Sequence, residues 1–122
     1  MKFSDLGLSD GLSRAVADLG YETPTPIQEK SIPTVLTGRD ILGSAQTGTG
    51  KTASFTLPMI DILASGRAKA RLPRSLILAP TRELAAQVAD SFEKFSVNNK
   101  LSMALLIGGV SFADQNAALS KG

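Results

Sequence analysis

At 122 residues, 43% hydrophobic and 20% charged, the chain has the composition of one globular domain or a piece of one, long enough to bury a core without disulfide or metal staples. It contains no cysteine and no histidine, which excludes zinc sites of the usual ligand types, thiol chemistry and histidine acid–base catalysis. A net charge of +2 is too mild to mark a nucleic-acid binder, and neither a secretory signal at Met1–Asp5 nor a membrane span is legible, so a cytoplasmic protein is expected.

Leu12, Ala15, Val16 and Leu19 fall at i, i+3, i+4 and i+7, one face of a helix that Gly20 is placed to end. A second helix is expected from Thr25, with Pro26 at its first position, where a missing N–H costs nothing, and Pro33 is expected to break or kink it. Asp40 to Ala45 reads as a short buried strand, followed by a glycine-rich turn and a helix from Lys51 to Leu63 kinked at Pro58. Arg67, Lys69, Arg71 and Arg74 form a local basic cluster, read as a solvated loop or as a contact to a phosphate backbone. Ser75 to Ala79 is a second expected strand. A helix from Thr81 to Phe95 follows, with Leu84, Val88, Phe92 and Phe95 along one stripe. Leu101 to Ile107 is a third strand, Gly108-Gly109 a turn and Phe112 to Leu119 a helix. This alternation implies an α/β fold with a parallel sheet, right-handed crossovers and flanking helices. Three strands are few for that class, so a domain truncated on its C-terminal side is expected.

Ala45-Gln46-Thr47-Gly48-Thr49-Gly50-Lys51-Thr52 matches the P-loop pattern G-x-x-x-x-G-K-[ST], with Ala45 in place of the first glycine. Gly48 and Gly50 let successive backbone N–H groups turn toward one anion, and the helix starting near Lys51 adds the positive end of its dipole. In that arrangement Lys51 reaches the β- and γ-phosphates and the Thr52 hydroxyl is a Mg²⁺ ligand.

A P-loop does not select a base. The segment Gly20-Tyr21-Glu22-Thr23-Pro24-Thr25-Pro26-Ile27-Gln28 offers one route: the Gln28 amide can pair with adenine N6 and N7, and Phe3 and Tyr21 can stack on a ring. Thr25-x-x-Gln28 is equally a capping box, and both aromatics are equally suited to a core. Residue chemistry alone leaves these readings open.

The chain resembles bacterial DEAD-box RNA helicases, most closely the RhlE-like group. Phe3 with Gly20 to Gln28 resembles that family's Q motif (3–28), Ala45 to Thr52 its motif I including the alanine, Pro80-Thr81-Arg82-Glu83-Leu84-Ala85 its motif Ia, and Gly108-Gly109 its GG motif. The resemblance implies a RecA-like P-loop NTPase domain that binds ATP and Mg²⁺. It makes Gln28 the adenine reader, with Phe3 and Tyr21 in the base pocket, and places Ala45, Gln46, Thr47, Gly48, Thr49, Gly50, Lys51 and Thr52 around the phosphates. It sets Thr81, Arg82 and Gly109 along an RNA sugar-phosphate track. Thr81 is also a good N-cap and Glu83 suits a first helical turn, so motif Ia reads as a helix start as well. No Asp-Glu-Ala-Asp run occurs, and the second RecA-like domain implied by the resemblance is absent. The expectation is therefore an ATP-binding fragment of an RNA helicase that is inactive alone. The alternatives are another P-loop NTPase, such as a DNA helicase, or a non-catalytic nucleotide-binding module.

Overall fold

The computed structural model describes residues 1–46, 48–66, 73–108 and 112–119. A short 3-10 helix, Phe3–Asp5, precedes five α-helices: α1 Asp10–Asp18, α2 Pro26–Leu36, α3 Lys51–Ser65, α4 Arg82–Phe95 and α5 Phe112–Leu119. Helix α3 is central, touching α1, α2 and α4. Its Leu57 and Ile60 are fully buried and join Leu12, Val16, Ile32, Phe92 and Phe95 in one apolar cluster.

The helix ends follow local chemistry. Helix α1 buries Leu12, Ala15 and Val16 and gives way to Gly20, whose φ of +87° is the left-handed geometry that glycine tolerates. Thr81 caps α4, its Oγ1 accepting the Leu84 N–H at 3.1 Å. Three residues of the stripe expected on α4, Val88, Phe92 and Phe95, are buried, whereas Leu84 is exposed. On the outer face of α4, Asp90 and Lys94 pair at 2.9 Å one turn apart, and the hydrogen bond and charge of Asp90 raise the Lys94 pKa.

At Pro33 helix α2 does not break but runs on to Leu36, and α3 runs through Pro58, as expected, to Ser65. Each proline removes a single backbone donor, and burial of Ile32 and of Leu57, Pro58 and Ile60 holds the turns that follow. Thr34 Oγ1 donates to the Lys30 carbonyl at 2.9 Å and Thr56 Oγ1 to the Thr52 carbonyl at 2.8 Å, adding side-chain bonds close to the interrupted ladders.

Among the described residues 40–45, 75–79 and 101–107 are non-helical, and none of them forms a strand. Leu42 is fully exposed, and Leu76 and Leu78 are 80% and 85% exposed. Between the second and third segments lies an open cavity of about 970 Å³, backed by Met59, Val88 and Phe92.

Long-range polar contacts fasten the helices. Asp61 on α3 accepts the Ser9 backbone N–H at 2.7 Å and the Ser9 hydroxyl at 2.5 Å. Asn98 Nδ2 donates to the Gly11 carbonyl at 2.9 Å. Arg74 Nη2 donates to the Leu63 carbonyl at 2.7 Å, placing its charge at the negative end of α3. That resolves one member of the basic cluster as a helix cap. Arg67, Lys69 and Arg71 lie outside the described residues.

Phe92→Ala removes a buried ring from the cluster and is expected to destabilise the domain by about 3–5 kcal/mol. Thr81→Ala removes a cap and is expected to cost about 1 kcal/mol. Urea denaturation of the two variants in the full-length protein checks this; a larger loss for Thr81→Ala would contradict the packing described.

Candidate nucleotide site

The glycine-rich turn before α3 closes on itself. The Gln46 carbonyl accepts both the backbone N–H of Thr49, at 3.3 Å, and its hydroxyl, at 2.5 Å. Gly48 and Gly50 both have positive φ, +83° and +80°, and Gly50 is the N-cap of α3. The first backbone bond entering the helix runs from Ser54 N–H to the Gly50 carbonyl at 3.3 Å. The Thr52 and Ala53 amides have no backbone acceptor among the described residues, and they stand at the positive end of a 15-residue helix. Lys51 is exposed, with no ion pair among the described residues. Unpaired donors, a helix N-terminus and a free cation at one place suit a polyphosphate.

Gln28 is built into the same corner. It is 2% exposed, and its Oε1 accepts the Thr25 backbone N–H at 2.9 Å. This is the glutamine arm of a capping box. The other arm is not closed, because Thr25 Oγ1 is buried without a hydrogen-bond partner. Gln28 Nε2 donates to the Gly50 carbonyl at 3.2 Å, joining the start of α2 to the start of α3. A Cβ on Gly50 would overlap Gln28 Nε2 and come within 3.6 Å of Thr25 Oγ1. Gly50 is therefore glycine for two reasons: its backbone angle and the amide packed against it.

The aromatic candidates form a separate group. Phe3 is 4% exposed and meets Tyr21 edge-on at 6.2 Å between centroids, and Tyr21 meets Phe95 at 5.7 Å. Phe3 thus occupies the core, and Tyr21 stays 45% exposed. No hydrogen bond or ring contact joins either of them to the described residues of 45–52. Ala45 is partly buried beside the turn, and Thr47 lies outside the described residues.

The family model for DEAD/DEAH box helicases matches residues 25–122. The chain belongs to the DEAD/DEAH box helicase family. It is 50% identical over 119 residues to the ATP-dependent rRNA helicase rrp-3 of Neurospora crassa, covering 98% of this chain and 22% of that protein. It is 47% identical over 121 residues to the ATP-dependent RNA helicase DeaD of Klebsiella pneumoniae, covering 98% and 18%. The structure is similar to that of a DEAD box protein from Methanococcus jannaschii, with a TM-score of 0.89, 42% identity and coverage of 98% of this chain and 32% of that one. The RNA-helicase Prp28 of Chaetomium thermophilum bound to ADP is similar with a TM-score of 0.90, 40% identity and coverage of 98% and 30%. The chain therefore spans a third or less of each of these relatives.

Within this DEAD/DEAH box chain, motif Ia and the GG turn approach each other. Thr81 and Arg82 are exposed at the N-terminus of α4, and a Cβ on Gly108 would lie 3.9 Å from Arg82 Nη2. Gly109 lies outside the described residues. The contact between Gln28 and Gly50 escaped the sequence because it links positions 22 residues apart on separate elements, with no periodicity to betray it.

Gly50→Ala is expected to lower thermal stability sharply in the parent background. In a Gln28→Ala background the clash is gone, and the remaining penalty should shrink to the left-handed backbone strain of about 1–2 kcal/mol. Equal penalties in the two backgrounds would show that Gln28 does not fill that space.

Proposed function

We propose that the protein carrying this chain is an ATP-dependent RNA helicase, in the RhlE-like group and acting in the cytoplasm, that opens short RNA duplexes locally or remodels RNA–protein complexes. The chain is its ATP-binding segment. The observation that carries the reading is the Gln28 amide hydrogen-bonded at the base of the phosphate loop.

A glutamine amide has two donors and two acceptor lone pairs. One acceptor is used by the Thr25 N–H and one donor by the Gly50 carbonyl. Turning the amide over would set oxygen against the Gly50 carbonyl and NH₂ against the Thr25 N–H, so its orientation is fixed. The remaining acceptor and donor match adenine N6–H and N7, whereas guanine presents O6 where adenine presents N6. At 2% exposure Gln28 keeps this unused donor and acceptor within the packed corner. Tyr21, backed by Phe3, supplies the apolar side of the base pocket.

The phosphates lie against Gly48 to Thr52, where the Thr52 and Ala53 amides donate and Lys51 sets its charge on the β- and γ-phosphates. Ala45, Gln46, Thr47 and Thr49 hold the turn in shape around them. Thr52, whose hydroxyl has no hydrogen bond to another described residue, would hold a Mg²⁺ ion, which would neutralise phosphate charge there. Thr81, Arg82 and Gly109 meet the RNA sugar-phosphate backbone, a role suited to the exposed N-terminus of α4 and to the arginine beside Gly108.

The finer fold belongs to the same reading. Segments 40–45, 75–79 and 101–107 become strands of a RecA-like parallel sheet when further strands of the domain fill the cavity between them. The apolar side chains now exposed there, Leu76, Leu78 and Leu106, suit burial on a covered sheet.

Lys51→Ala in the full-length protein is expected to abolish ATP binding. An unchanged affinity, read by titration of a fluorescent ATP analogue, would remove the phosphate site. The unsubstituted protein should bind ATP in preference to GTP and CTP, and equal affinities would remove Gln28 as the base reader. The 122-residue chain alone is expected to show no ATP turnover with or without RNA, because it lacks the Asp-Glu-Ala-Asp carboxylates that complete the metal and water sites. Clear phosphate release by the purified chain would overturn that.

A further inference from the structure

Helix α1 lacks a local capping partner. Ser9 is its N-cap, but the N3 position holds Leu12 rather than glutamate or glutamine, and the Ser9 hydroxyl makes no bond back to the helix. The missing carboxylate comes from α3 instead, 52 residues along the chain: Asp61 accepts both the backbone N–H and the hydroxyl of Ser9. Its charge also stands at the positive end of α1.

The lobe fastened in this way carries the base-side candidates. Tyr21 N–H donates to the Val16 carbonyl at 3.1 Å, directly after α1, and Phe3 N–H donates to the Glu22 carbonyl at 3.4 Å, closing residues 3–22 on themselves. The same lobe leads straight into Thr25 and Gln28. Asp61 lies ten residues beyond Lys51 on α3, about 15 Å along the helix axis, too far to touch a nucleotide held at the phosphate loop.

We propose that Asp61 is a positioning residue for the base half of the nucleotide site. By capping α1 from α3, it sets the lobe that bears Phe3 and Tyr21 at a fixed distance from the helix that bears Lys51 and Thr52. The inference rests on the adenine reading given above and extends it to a residue outside the nucleotide-contacting set.

The experiment compares ATP with inorganic tripolyphosphate, which engages the phosphate loop but presents no base, on the full-length protein by calorimetric titration. Asp61→Ala is expected to weaken ATP binding about tenfold while leaving tripolyphosphate within about twofold. Ser9→Ala, which keeps the carboxylate and its bond to the Ser9 N–H, serves as the milder variant should Asp61→Ala fail to fold. It should shift the same ratio in the same direction by less, with the circular dichroism melt confirming a folded protein at the titration temperature. Equal weakening of both ligands, or an unchanged ratio in folded variants, overturns the proposal. Failure of the underlying reading is distinguishable, because it appears in the unsubstituted protein as ATP binding no tighter than GTP.

Discussion

The Gln28 amide bonds in two directions, to the Thr25 N–H that opens α2 and to the Gly50 carbonyl that opens α3. A buried amide with an unused end costs far more than one fully engaged, so these bonds constrain each other: moving the glycine turn strands the donor, and fraying the α2 start strands the acceptor. Two helix N-termini are thereby held in register through one side chain. The buried Thr25 hydroxyl beside them has no hydrogen-bond partner among the described residues, and it faces the space that a side chain on Gly50 would fill. The corner is tightly packed yet retains unused hydrogen-bonding capacity.

The legible part of the fold was the part written in short-range code. Helices α1, α4 and α5 begin and end close to where apolar spacing and capping residues placed them, because 3.6-residue periodicity and an N-cap such as Thr81 act within a few positions. At Pro33 and Pro58 the helices continue for the opposite reason. Their local penalty is real, but burial of Ile32, Leu57 and Ile60 comes from elements distant in sequence and outweighs it. For the expected strands, Ser75 to Ala79 has the composition of one, but a ladder needs a neighbour, and the described residues of 40–45, 75–79 and 101–107 form no strand.

The site divided along the same line. The glycine turn and the Lys51-Thr52 start of α3 were legible because a phosphate loop is contiguous in sequence. For Gln28 the residues left capping and base reading open, and the geometry gives a physical reason why both can hold: the cap uses one of the amide's two acceptor sites and Gly50 one of its two donors, so one of each remains. Arg74 shows the reverse. Grouped by sequence with three other cations, it reads as part of a charged loop, yet its guanidinium sits on the Leu63 carbonyl as a cap for α3. Charge counted along a chain says little about charge arranged in space.

Helix α3 explains why so much of the site converges on one element. Its first turn presents Lys51 and Thr52, its middle packs Leu57 and Ile60 into the core, its outer middle offers Asp61 to α1, and its last turn is closed by Arg74. A helix anchored at its start, middle and end cannot rotate or slide without breaking a buried contact, so the donors at its N-terminus are held in place. That preorganisation is what an anion site requires, because dipoles already aligned need no reorganisation on binding. Without strand pairing among the described residues, it is the packing of helices against α3 that supplies the rigidity. The glycine turn is therefore not an appendage on the fold but the exposed entry to the helix at the centre of its packing.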